Sequence, residues 1–261
     1  MGRTPAAIAN PLSIKDSHRP RRATKEWSNN RLPCDHSPVT EPEAIPWPEE
    51  EWQAMHREAR AWQARLRVTH GAGSLFLLDG ASCSGKSTLL DWLTTDAELP
   101  VDLIPRYTTR QRRLDDQRRR EYMFVSAPEF RARAAAGGFI EYRDFQFGMS
   151  YGLPWKEALE PLLDGRHTMG IINLGNVRYV KALLPEAVTI LVDASRETIR
   201  QRLINRGVNT PEQIEERLSN AARVERYRAY YDYIVRNEDG TLTEAEAFLR
   251  NLVAGSRNTA L

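Results

Sequence analysis

Residues 74–79 read SLFLLD, residues 80–87 read GASCSGKS, and residues 88–93 read TLLDWL. The first piece is a short apolar run of strand length. The last has the spacing of a helix. Between them stands G-x-x-x-x-G-K-[ST], and its meaning comes from that context. Glycines at 80 and 85 allow backbone conformations that other residues resist, so successive N–H groups can turn inward around phosphate oxygens. The helix mouth adds partial positive charge. Gly80, Ala81, Ser82, Cys83, Ser84, Gly85, Lys86, Ser87 and Thr88 are therefore the candidate ATP-binding residues. Lys86 is expected to reach the β- and γ-phosphates, Ser87 to ligate Mg²⁺, and Thr88 to bond a phosphate.

Further apolar runs follow at 101–104, 168–173, 188–193 and 231–236, with helical patterns between them and a closing helix over 243–254. Strands alternating with helices predict an α/β fold: a parallel sheet flanked by helices on both faces. Upstream, residues 1–48 hold eight prolines and no sustained apolar period, the signature of a disordered or extended arm. Up to residue 40 the arm carries seven basic residues against three acidic ones. Residues 49–70 predict an amphipathic helix, with Trp52, Met55, Ala59, Trp62 and Leu66 on one face. Four of the six tryptophans lie in this N-terminal quarter, which suggests that it docks on the rest.

The chain has 261 residues, 37 Lys+Arg against 35 Asp+Glu, and is 41% hydrophobic. Such composition suits a globular protein, and a net charge of +2 does not suggest a general nucleic-acid binder. Two cysteines, Cys34 and Cys83, exclude a disulfide scaffold and fit a cytoplasmic protein. No apolar run approaches a membrane span, so no membrane partner is expected. The expected partner is a small-molecule phosphate acceptor, with the protein a monomer or homodimer.

Seven arginines fall between Arg106 and Arg120. They read as a solvated basic segment, a nucleic-acid patch, or a clamp for a phosphate ester. Residues 106–113 read RYTTRQRR. After them come YMFVSAPEF at 122–130, GFIEY at 138–142 and YG at 151–152. This order resembles guanylate kinase. The likeness runs from about Ser74 to the end of the chain and includes RLINRG at 202–207. It implies the P-loop NTPase fold over 71–258, with a small acceptor-binding subdomain at about 106–155 and a helical lid at about 204–220. It implies ATP-dependent phosphoryl transfer, with GMP or dGMP as acceptor and Mg²⁺ as cofactor. By the resemblance Arg110, Arg113, Tyr122 and Tyr151 bind the acceptor phosphate. Glu141 pairs with the guanine N1–H and 2-amino group, and Asn173 lies on the acceptor side. Lys86, Arg206 and Arg217 are the implied catalytic charges.

Three positions depart from that family's pattern: Arg106 and Leu153 stand where it has hydroxyl residues, and Asn173 where it has an aspartate. The sequence is also similar to ribose 1,5-bisphosphokinases, through Arg106-Tyr107, Asn173 and the NEDGTL segment at 237–242. That likeness implies ribose 1,5-bisphosphate as an alternative acceptor. A catalytically inactive interaction module is the remaining expectation, against which the complete phosphate loop counts.

Overall fold

The computed structural model describes residues 45–112, 116, 120–145, 148–207 and 209–256. Its main sheet has five strands: β1 (Leu75–Asp79), β2 (Val101–Leu103), β7 (His167–Ile171), β8 (Val188–Asp193) and β9 (Tyr233–Arg236). They run in the order β2-β7-β1-β8-β9, every pair parallel. Alternate side chains of a strand face opposite ways. Phe76 and Leu78 of β1 accordingly join one apolar cluster with α2 (Lys86–Thr95) and α8 (Leu242–Gly255). Leu75 and Leu77 join another with α4 (Trp155–Leu159) and α5 (Val177–Leu183). All five residues of β1 are buried. Two-sided burial is why the sequence shows an unbroken apolar run there rather than alternation.

A second sheet contains β3 (Arg106–Thr108), β4 (Tyr122–Phe124), β5 (Phe139–Phe145) and β6 (Met149–Pro154), in the order β4-β3-β6-β5. β3 pairs parallel with β4, while β6 is antiparallel to both β3 and β5. α3 (Ala127–Ala135) opens with a capping box in which Ser126 and Glu129 satisfy each other's backbone N–H groups. It buries Phe130 and Ala134.

α6 (Arg196–Asn205) and α7 (Pro211–Ala222) pack on each other beyond β8. α7 also starts with a capping box, formed by Thr210 and Gln213. Ile199 and Leu203 of α6 and Ile214 and Leu218 of α7 form a small cluster that receives Ala81. The phosphate loop thus leans on this helix pair.

α1 (Glu49–Arg67) lies against α3, α5 and β5. Its acidic first turn and basic last turn complement the helix dipole. Trp52, Met55, Ala59 and Trp62 enter the larger cluster. Trp47, just ahead of the helix, is 5% exposed, and its indole N–H donates to the Tyr142 carbonyl at 2.9 Å. Gln63 Nε2 donates to the Leu183 carbonyl at 2.7 Å. Residues 1–44 of the expected arm lie outside the described residues. Among the described residues no helix is long and apolar enough to cross a membrane.

Candidate active site

The phosphate loop occupies the C-terminal end of β1, the central strand of the main sheet, where ligands of open α/β sheets bind. Gly80 has φ +143°, and a Cβ there would stand 2.3 Å from the Val192 carbonyl oxygen. Gly85 has φ +100° and caps α2, and its Cβ would meet Asn237 Nδ2 at 2.0 Å. Both positions exclude a side chain. Cys83 adopts φ +64°, an uncommon left-handed conformation for a residue with a Cβ.

Lys86 Nζ donates to the carbonyls of Gly80 at 2.7 Å and Ala81 at 2.6 Å, curling back over its own loop. Burial pushes its ammonium down from 10.5 to about 8; Asp79 opposes that shift and Arg106 adds to it. Asp79 is fully buried at the end of β1. It accepts from Gly80 N–H at 2.6 Å and from the Tyr231 hydroxyl at 2.6 Å. Burial raises its carboxyl above the ordinary 3.8, against the pull of those hydrogen bonds and of Lys86. Ser87 and Thr88 lie in the first turn of α2, and the Ser87 hydroxyl has no hydrogen-bond partner among the described residues. The Ser84 hydroxyl is buried in the loop without a partner.

Two residues that the motif does not reveal fasten the loop. Asn237, at the end of β9, donates to the Ser84 carbonyl at 2.8 Å. Arg202 of α6 donates to the Cys83 carbonyl at 3.3 Å while its Nε and Nη2 hold Asp239. Arg202 opens the RLINRG segment that the family resemblance includes, one helical turn before Arg206. Of the two arginines expected in a lid, Arg217 donates to the Ser82 hydroxyl at 3.0 Å. Arg206 caps the C-terminus of α6 with an exposed side chain.

The second sheet brings Arg110, Tyr122 and Tyr151 together. The Arg110 guanidinium lies 4.7 Å from the Tyr122 ring centroid, and the rings of Tyr122 and Tyr151 are 6.0 Å apart. The Arg110 fork holds both oxygens of Asp116 at 2.6 Å, in a pair that is almost wholly buried. A carboxylate therefore sits where a bidentate oxyanion would be gripped. That hydrogen bonding raises the Arg110 guanidinium further above its ordinary range. Arg113 lies outside the described residues.

Glu141, on β5, is fully buried. Its Oε1 accepts from Asn173 N–H at 3.2 Å and Asn173 Nδ2 at 3.1 Å. Its Oε2 accepts from Asn173 Nδ2 at 2.8 Å and Asn176 Nδ2 at 2.6 Å. Burial raises its carboxyl, and Arg106 and the two amides hold that rise back. Arg106 Nη2 donates to Asn173 Oδ1 at 2.5 Å, and its guanidinium lies 5.1 Å from the Tyr151 ring centroid. Leu153 is buried.

These two halves meet at one edge of the main sheet. Asn173 follows β7, and β7 pairs with β1, whose end carries the phosphate loop. The Ile172 N–H bonds the Leu78 carbonyl across that junction. The positive charge of Arg106 bears on Lys86, Glu141 and Tyr122 alike. Arg106 thus links the phosphate loop electrostatically to Tyr122 of the arginine–tyrosine cluster. Among the described residues no group of three or more His, Cys, Asp or Glu side chains could hold a metal ion. A divalent cation here would be held by the Ser87 hydroxyl and by phosphate oxygens, a donor set that suits Mg²⁺.

The family described as Guanylate kinase matches residues 73–252. The chain is 36% identical over 186 residues to the guanylate kinase of Dechloromonas aromatica strain RCB, covering 71% of this chain and 90% of the relative. It is 34% identical over 187 residues to that of Symbiobacterium thermophilum, covering 71% and 86%. Among solved structures, the guanylate kinase from Anaplasma phagocytophilum superimposes with a TM-score of 0.54 at 23% identity, over 73% of this chain and 89% of that one; this likeness is one of fold.

Proposed function

The chain belongs to the guanylate kinase family, and on that premise we propose that it transfers the γ-phosphoryl group of ATP to the phosphate of GMP or dGMP, with Mg²⁺. The observation that supports this reading is the intact phosphate loop at the end of β1, with Arg106 acting electrostatically on both Lys86 and Tyr122, the latter packed with Arg110 and Tyr151.

Phosphoryl transfer asks little covalent chemistry of the protein. The attacking phosphate oxygen is already ionised, so no general base is needed. The loop amides cradle the donor's phosphates, and Lys86 exchanges the Gly80 and Ala81 carbonyls for phosphate oxygens. Ser87 would hold Mg²⁺, which would supply positive charge to the donor's phosphates. Arg110 exchanges Asp116 for the acceptor phosphate, which Tyr122, Tyr151 and Arg113 also hold. Arg206 and Arg217 close over the transferring group, add positive charge where charge develops, and exclude water.

The test is ADP release with GMP, dGMP, AMP, UMP and ribose 1,5-bisphosphate as acceptors. Saturable turnover on GMP or dGMP, lost in Lys86→Ala, is expected. Turnover confined to ribose 1,5-bisphosphate would refute the acceptor. ATP binding with no turnover on any of the five would refute catalysis.

A further inference from the structure

Glu141 sits on the edge strand of the second sheet, where β5 pairs with β6 on one side and ends the sheet on the other. The pairing slips just before it: Phe139 lies opposite Pro154, and Glu141 opposite the adjacent Leu153. An extra residue of this kind bends an edge strand and re-aims the side chain that follows. The direction of Glu141 therefore depends on what holds the open rim of β5.

Tyr142 is where that rim is held. Its carbonyl accepts from the Trp47 indole N–H at 2.9 Å and from Asn176 Nδ2 at 3.3 Å. The same Nδ2 donates to Glu141 Oε2 at 2.6 Å. Trp47 is itself wedged in place. Its ring meets Tyr179 of α5 edge-on, with centroids 5.1 Å apart, and stacks on Trp52 of α1 at 5.6 Å. The Tyr142 hydroxyl donates to Glu51 of that same first helix. Asn176 caps the start of α5, so the indole joins the strand that carries Glu141 to the helix that follows its amide partners. Trp47 lies ahead of residues 73–252, the stretch matched to the family.

Resting on the GMP reading, we propose that Trp47 is a positioning residue of the acceptor site: its indole N–H pins the rim of β5 at Tyr142 and so sets the Glu141 carboxylate against the guanine. The indole acts through the backbone next to Glu141. Removing its N–H frees the rim of β5 and weakens acceptor binding. The donor side is left alone, because the phosphate loop belongs to the main sheet.

The test compares the KM for GMP and for ATP in the full chain, in Trp47→Phe and in Trp62→Phe. Trp47→Phe keeps an aromatic ring and removes the N–H. It raises the GMP KM about 2- to 12-fold, the worth of one buried hydrogen bond, and leaves the ATP KM unchanged. Trp62→Phe takes packing from the same helix, keeps the bond to Tyr142 and moves neither KM. By linkage GMP must in turn protect the Trp47 bond. The Trp47 indole proton, followed by NMR in the unaltered chain, therefore exchanges more slowly with GMP than without it, by the same factor; that measurement requires no variant to fold. An unchanged GMP KM in Trp47→Phe, or an equal rise for GMP and ATP, overturns the proposal. So does a rise in Trp62→Phe as large as that in Trp47→Phe, or indole exchange indifferent to GMP. No turnover on GMP in the unaltered chain overturns the GMP reading and this inference with it.

Discussion

Lys86 with a lowered pKa predicts that donor binding takes up a proton. In the free protein burial holds its ammonium at about 8, with the Gly80 and Ala81 carbonyls as its hydrogen-bond partners among the described residues. About half of the molecules then carry a neutral Lys86 at pH 8, about a tenth at pH 7 and about nine-tenths at pH 9. A triphosphate against Nζ favours the charged form and restores the proton. Binding a non-hydrolysable ATP analogue should therefore take up about half a proton at pH 8, falling to about a tenth at pH 7. Calorimetry in buffers of different ionisation enthalpy reads this directly, as the slope of observed heat against that enthalpy. Lys86→Met should flatten the slope. No uptake at pH 8 in the unaltered protein, or the same uptake in Lys86→Met, would refute the reasoning. The folded pKa lies below the ordinary 10.5, so the free protein carries a stability penalty below about pH 8 that is relieved as pH rises from about 8 towards 10.5.

Trp47→Ala should cost about 3–5 kcal/mol, since it empties a site bounded by Trp52, Tyr142 and Tyr179 and removes the bond to the Tyr142 carbonyl. Urea unfolding checks this, and a loss under about 1 kcal/mol would show that the N-terminal segment adds little to the fold. Arg110→Ala should raise the acceptor KM at least about tenfold and leave the ATP KM in place; steady-state kinetics showing equal effects on the two would remove Arg110 from the acceptor clamp. Asp79→Asn should gain on the wild type as pH rises above 3.8, because an acid whose folded pKa is raised loses stability from its unfolded value upward. Urea midpoints between pH 4 and 7 that stay parallel would count against this.

The five-stranded sheet was legible chiefly through β1 and β8, whose buried residues form apolar runs between helical patterns. The phosphate loop was legible for a different reason: its chemistry depends on contiguous backbone, and contiguous backbone is written in contiguous residues. The second sheet was not readable from pattern. Three-residue strands such as Arg106–Thr108 and Tyr122–Phe124 are too short to show a period, and only the family resemblance pointed to that region. Long-range polar pairing was also hidden. The Asn176–Glu141 bond spans 35 positions and the Asn237–Ser84 bond 153, and local sequence cannot announce a partner that distant. The Arg110–Asp116 pair is close in sequence, but the arginine-rich stretch around it read as a surplus of cations. Asp116, buried against Arg110, changes that reading.

The first helix also constrains the order of events during synthesis. Gln63 meets its carbonyl partner 120 residues further along. Translation at about 5–20 residues per second separates the two by about 6–24 seconds. α3 and β5 supply part of the surface that α1 packs on, and α5 supplies the rest only once its residues are made.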